Sequence, residues 1–273
     1  MSKNFELLQS LNKEQELFDT GADLSPLPAL STLPDLSQLP PPVTSSPLHR
    51  ESKEKATEHP VILEMEEKQR DEIMKFVQHV FMMPGAGGPR TVVLTATEPG
   101  NGCSWICCRA AETLASQVRG PICVVDANLR SPALHHYFGV DNHHGLSDAL
   151  EATQPIRNFV HPLGRDNLWL LSCGAKAKSA SVLRLELMSI RLAELRQYFE
   201  YVLIDAPALI LGNEAITLSR AADGVVLVIK ANTSRRETAR KTVQELQNSG
   251  ARILGAVLNQ RTFPIPEMLY AKL

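Results

Sequence analysis

Aromatic residues are scarce in this 273-residue chain, at 5%, although hydrophobic residues reach 44%. Its core must therefore be mostly aliphatic. No excess of charge of one sign is present either: 28 basic and 30 acidic side chains leave a formal net charge of −2. A general nucleic-acid binder carries a basic excess, so that class is disfavoured. No run of about 18 apolar residues occurs, so no segment is expected to insert into a membrane. The opening MSKNFELLQSLNKEQELF lacks the apolar stretch of a secretory signal, which predicts a cytoplasmic protein. Cysteine is sparse and odd in number: Cys103, Cys107, Cys108, Cys123 and Cys173. A disulfide framework is not expected. Cys103 and Cys107 could share a helix face, but no further ligands lie nearby at metal-site spacing, so buried or half-buried thiols are expected.

Composition changes near residue 60. Eight of the 18 prolines fall in the first sixty residues. The stretch LSPLPALSTLPDLSQLPPPVTSSPL has no helical period, and proline fixes φ while removing donors. Residues 1–60 are expected to form a disordered Pro/Ser/Leu-rich arm. Leu24, Leu27, Leu30, Leu33, Leu36 and Leu39 recur at the polyproline II period, which suits a flexible tether or a partner's docking strip. Residues 61–83 predict an amphipathic helix with Ile62, Met65, Ile73, Phe76, Val77 and Val80 mainly on one face.

A third region, 84–273, begins with PGAGGPR and then alternates short aliphatic runs with helical stretches. The runs are 91–96, 121–126, 168–173, 201–205, 224–230 and 253–259. The main helical patterns are 104–118, 181–199 and 234–249. Near-continuously apolar runs of strand length predict strands buried on both faces. The fold class expected is α/β, a doubly wound and mostly parallel sheet flanked by helices. In such sheets ligands bind beyond the carboxyl ends of the strands.

The first run is followed by Thr97-Glu98-Pro99-Gly100-Asn101-Gly102-Cys103-Ser104-Trp105 and an Ala-rich helix. Small residues before a helix N-terminus suit a phosphate cradle, because backbone N–H groups can converge on an anion. The standard phosphate loop, GxxxxGK[ST], has a lysine directly after its last glycine. That position is Cys103 here, while Ser104 keeps the magnesium-binding hydroxyl. A short thiol cannot supply the mobile charge. Arg109, further along the helix, has no evident geometry for replacing it. The second run ends Asp126-Ala127-Asn128-Leu129-Arg130-Ser131-Pro132, and the fourth ends Asp205-Ala206-Pro207. Either aspartate alone could simply cap a helix. The first loop alone reads equally as an ordinary strand–turn–helix connection, but three such loops, in this order, are much more specific for a phosphate site, with Ser104, Asp205 and, through water, Asp126 as candidate magnesium contacts.

These loops resemble those of the bacterial tyrosine kinases, the autokinases of capsule and exopolysaccharide synthesis within the MinD/ParA-like ATPases. The strongest match is VVDANLRSPALHHYFGVDNHHGLSDAL, followed by YVLIDAP, ADGVVLVIKANTSRRET and GARILGAVLNQ, so that the resemblance covers roughly residues 64–262. It implies ATP or ADP with Mg2+, held by Pro99, Gly100, Asn101, Gly102, Cys103, Ser104, Trp105, Asn128 and Arg130. It also implies Asp126 as base or water-mediated magnesium contact and Asp205 as a magnesium contact. Arg130 would lie near the site or at a subunit contact. The implied partners are a polysaccharide co-polymerase of the membrane, or a related kinase subunit, recruiting the chain to the inner face of the plasma membrane. A homo-oligomer is also implied. Glu67-Lys68-Gln69-Arg70 partly matches the family's ring-forming glutamate–arginine motif, whose second arginine falls at Ile73.

The departures point one way. The lysine is Cys103, the hydroxyl after Ser104 is Trp105, and the second aspartate of the second motif is Asn128. The aspartate after the magnesium-binding strand is replaced around Asn213-Glu214, and the C-terminal tyrosine cluster shrinks to Tyr270. The leading expectation is a catalytically impaired, regulatory or scaffolding member. The alternatives are an active ATP-dependent tyrosine autokinase and a MinD/ParA-like positioning ATPase. The latter requires membrane or DNA binding, which balanced charge and a short MLYAKL tail disfavour. A further possibility is that Lys68 or Arg130 of a neighbouring subunit fills the phosphate site. His135, His136, His143 and His144 are expected to be mainly solvated loop residues, with His135 fitting the family motif. Arg235, Arg236, Arg240 and Lys241 read as a solvated helical face or a patch for an acidic partner. Trp105 and Trp169 read as packing residues.

Overall fold

A computed structural model describes residues 65–82, 87–175 and 185–261. The Pro/Ser/Leu-rich arm, Ile62 and Tyr270 with its surrounding tail lie outside the described residues. The first described helix, α1 (Glu67–Phe81), opens with the Glu66 N–H donating to Gln69 Oε1 at 3.3 Å. It buries Ile73, Val77 and Val80 of the expected face, with Met65 and Phe76 partly buried against the same core, and adds Phe81, which the spacing did not single out. Ile73 is part of the core, so the position of the ring motif's second arginine faces inward.

The chain then runs through β1 (Thr91–Ala96), α2 (Cys103–Gln117), β2 (Ile122–Asp126), α3 (Leu134–Phe138) and α4 (Leu146–Glu151). After β3 (His161–Pro162) and β4 (Leu168–Leu171) come α5 (Leu185–Tyr198), β5 (Tyr201–Asp205) and α6 (Glu214–Ala221). It continues through β6 (Gly224–Lys230), α7 (Arg236–Asn248) and β7 (Ile253–Asn259). The seven strands form one sheet in the order β3-β4-β2-β5-β1-β6-β7. Every pair is parallel except β3 with β4.

The six expected strands all form. β3 escapes a periodicity reading because two residues, one of them proline, carry no alternation. The expected helices 104–118, 181–199 and 234–249 form, with described bounds one to four residues from those stated, the helix expected at 61–83 is described over Glu67–Phe81, and the short α3, α4 and α6 add to them. Alternation along the strands feeds two cores. Val92 and Leu94 pack with α1 and α2, whereas Val93 packs on the opposite face with α4, α5 and α6. Burial on both faces is why these strands read as continuous apolar runs. Among the described residues no helix is long and apolar enough to cross a membrane.

Strand order positions the site. β5 lies between β2 and β1, so loops distant in sequence finish side by side. Asp126 on β2 is in register with Asp205 on β5, and Asp205 with Leu94 on β1. The Ala127 N–H donates to the Asp205 carbonyl at 2.9 Å, the Ala206 N–H to the Leu94 carbonyl at 2.9 Å, and the buried Thr95 hydroxyl to the Pro207 carbonyl at 2.7 Å.

Candidate functional site

The β1–α2 loop turns on two glycines in the left-handed region, Gly100 at φ +79° and Gly102 at φ +84°. Gly102 directly precedes α2, and its carbonyl accepts the Ile106 N–H at 3.1 Å. Neighbouring elements hold the loop in shape. Asn101, 2% exposed, turns its side chain inward and donates to Thr97 Oγ1 at 2.9 Å. The same amide donates to the Val228 carbonyl at 3.3 Å and the Ser234 hydroxyl at 3.4 Å. From the end of β7, Asn259 Nδ2 donates to the Asn101 carbonyl at 2.8 Å. Asn259 is a site residue that sequence reasoning missed. Its only signal was its place as the last residue of an apolar run.

A Cβ on Gly102 would sit 2.3 Å from Asn259 Nδ2, in a backbone conformation that L-residues rarely adopt. Gly102→Ala should therefore displace Asn259, break its bond to the loop and cost about 1–3 kcal/mol. Urea unfolding at fixed pH measures this, and an unchanged midpoint would contradict the packing described.

The two strand-end aspartates differ in their surroundings, although both are fully buried. Asp126 Oδ2 accepts the N–H groups of Ala133 and Leu134, each at 3.0 Å, and Oδ1 accepts the Asn128 N–H at 3.2 Å. It thus caps the start of α3. Burial pushes its carboxyl up to about 6, against the opposing effect of these three bonds. Asp205 has no such partners: neither carboxylate oxygen is in hydrogen-bond geometry with any donor among the described residues. Burial and the charge of Asp126 raise its carboxyl to about 7. The Ser104 and Cys103 side chains lie close enough to favour the anion, but they do not offset the burial.

Cys103 opens α2 and is half-buried. Burial, followed by the charge of Asp205, pushes its thiol well up, which keeps it neutral. Cys107 and Cys108 are raised by the same two causes. All five thiols are free. No lysine or arginine is among the groups that shift Asp205. Arg109 points along its own helix, paired with Glu112 at 2.6 Å and 5.9 Å from the Trp105 ring centroid. It is not a replacement cation.

Other predicted residues serve the scaffold. Asn128 Oδ1 accepts the Ser131 N–H at 3.2 Å, closing the turn after β2. Arg130 reaches from that loop to Glu214 on α6, with Nε and Nη2 at 3.0 and 2.5 Å from Oε1. This bridge spans the loops beyond the two aspartates, and Glu214 is its acidic end. His135 stacks on His136 at 3.9 Å between centroids. Burial and then the neighbouring His136 lower its pKa.

No protein-family model matches the chain. EpsB of Ralstonia solanacearum, named as a tyrosine-protein kinase, is 30% identical over 180 residues, covering 66% of this chain and 24% of EpsB. The chain therefore spans about a quarter of that relative's length. The tyrosine-protein kinase YwqD of Bacillus subtilis is 28% identical over 171 residues, 62% of this chain and 72% of YwqD. Among solved structures, the VpsO kinase domain superposes with a TM-score of 0.62 at 28% identity, covering 72% of this chain and 98% of that domain. The septum site-determining protein MinD of Pyrococcus horikoshii, complexed with Mg-ADP, superposes at 0.56 with 20% identity, covering 67% of this chain and 76% of MinD. The MinD likeness speaks for the fold alone. A parallel sheet of this order, three loops converging on two buried aspartates and these likenesses agree: the chain is related to the bacterial tyrosine kinases and shares the P-loop NTPase fold of MinD.

Proposed function

We propose that this protein is a phosphoryl-transfer-impaired relative of the tyrosine kinases of capsule and exopolysaccharide synthesis. It binds nucleotide weakly and acts as a regulatory or scaffolding partner of that machinery at the inner face of the membrane. The observation that carries this reading is Cys103: a neutral thiol beside Asp205 at the position where the phosphate loop needs a mobile cation. Losing one preorganised transition-state donor costs roughly a hundred- to a thousandfold in rate.

The remaining residues fit a magnesium nucleotide. Asp205 presents two buried, unpartnered oxygens with the Ser104 hydroxyl nearby, a donor set suited to a hard cation. Among the described residues no three His, Cys, Asp or Glu side chains group as a metal centre, so Ser104 and water must complete the shell. Asp126, held by α3, would act through water. Bound Mg2+ would supply charge that neutralises phosphate oxygens. The loop between Pro99 and Gly102 and the start of α2 would orient the phosphates with backbone N–H groups. The Asn101 side chain is engaged within the protein, so Asn101 would contribute its backbone.

The intact Asp205 favours a second reading, an active autokinase whose cation comes from elsewhere. ATP hydrolysis and autophosphorylation of the purified protein decide between the two. We expect turnover at background level, unchanged in Asp205→Ala. Robust turnover abolished by that substitution would overturn the impaired reading.

A further inference from the structure

The turn between β6 and α7 lies against the β1–α2 loop. β6 pairs with β1, and just past β1 the Thr97 N–H donates to the Val228 carbonyl at 3.4 Å. The turn closes on itself: the Ser234 N–H donates to the Lys230 carbonyl at 3.1 Å, and the Lys230 N–H to the Ser234 hydroxyl at 3.3 Å. That hydroxyl also accepts the Asn101 side chain at 3.4 Å. Asn101 stands between Gly100 and Gly102, in the part of the loop whose backbone N–H groups suit phosphate. The two residues after Ser234 are Arg235 and Arg236, both exposed. Among the described residues neither side chain makes a hydrogen bond or an ion pair, with Glu98 of the β1–α2 loop or with any other group. Nor does α7 explain them. Arg235 immediately precedes its first turn and Arg236 opens it, where a cation opposes the helix dipole.

We infer that Arg235 and Arg236 supply charge to the phosphates of a nucleotide held by the β1–α2 loop, in place of the lysine lost at position 103. The inference rests on the nucleotide reading above. Ser234 is bonded to that loop, so an arginine one residue further on starts beside it. The guanidinium is always charged, and its planar fork of donors matches phosphate oxygens in pairs. Charge from exposed, rotatable side chains adds to the affinity for phosphate. It is not preorganised, so it restores little of the transition-state stabilisation that a lysine within the loop provides. Binding without turnover follows from that division. The basic face of α7 is thereby split: Arg240 lies a turn further along the helix, and Lys241 is 3.8 Å from Glu245.

Calorimetric titration of the full chain with Mg-ADP tests this. The double variant Arg235→Gln/Arg236→Gln should raise Kd by about tenfold, the sum of two exposed charge contacts. Arg240→Gln, on the same helix but a turn away, should leave Kd unchanged. The charge-keeping pair Arg235→Lys/Arg236→Lys should recover most of the affinity. A glutamine double variant that binds like the unchanged chain overturns the inference and leaves the nucleotide reading standing. A loss as large from Arg240→Gln also overturns it, because the effect would then belong to a diffuse field of the helix face. No recovery in the lysine pair overturns it as well, since charge would not be the cause. Absence of binding by the unchanged chain overturns the nucleotide reading and, with it, this inference.

Discussion

Replacing Cys103 by lysine should raise affinity for Mg-ADP and Mg-ATP by tenfold or more in calorimetric titration. A charged hydrogen bond to phosphate contributes ~1.5–3 kcal/mol, which corresponds to roughly ten- to a hundred-and-fiftyfold in Kd. The surroundings favour the upper part of that range. Position 103 opens α2 directly after the left-handed Gly102, in a loop already held by Asn101 and Asn259. The lysine would therefore be added to a cradle that needs little ordering. It would also meet Asp205, whose carboxyl burial and Asp126 now raise to about 7, and a cation there would favour the anion that magnesium requires. Two gains from one substitution distinguish this prediction from a generic surface charge. A lysine variant that folds normally and gains nothing would mean that the cradle cannot admit phosphate.

The second large effect concerns pH. The ordinary carboxyl value for Asp205 is 3.8, and in the folded protein it is about 7. Between those values the native state holds a proton that the unfolded chain has released. Stability therefore falls as pH rises through this window, by up to about 1.4 kcal/mol per pH unit for one group. Asp126, raised to about 6, adds a slope of the same sign over a narrower window. Well below pH 3.8 both carboxyls are neutral in either state and the penalty vanishes. Asp205→Asn keeps the shape without the charge. It should stabilise the protein above pH 7 and flatten the pH dependence, leaving only the Asp126 slope. Urea unfolding of both proteins between pH 4 and 8 measures this. Parallel stability curves would show that Asp205 is not held in an unfavourable charged state.

The position of Cys103 separates what can be changed from what is fixed. On the proposed reading it sits where phosphate would meet the protein, so its substitution should alter binding. Gly102, one residue earlier, sits where the protein meets itself, so its substitution alters folding. Arg130 and Asn128 were expected at the ligand, and their side chains are engaged in the scaffold, by Glu214 and by Ser131. Polar residues on a loop after a strand look alike in sequence whether they face a ligand or close a turn.

The amino-acid sequence by itself determined the layers of this protein. Aliphatic runs such as GVVLVIK can be buried only on both faces, and the helical stretches between them can be covered only by such a sheet. Those are local consequences of period and composition, and they also marked Asp126, Asp205 and Cys103 as strand-end and helix-start residues. Only the tertiary structure decided that β5 lies between β1 and β2, because strand order depends on which crossovers pack and not on any run of residues. That order places two carboxylates side by side, gives Asp126 a helix to cap, and leaves the Asp205 oxygens without a donor in hydrogen-bond geometry among the described residues. It also brings Asn259, 158 residues from Asn101, against the β1–α2 loop.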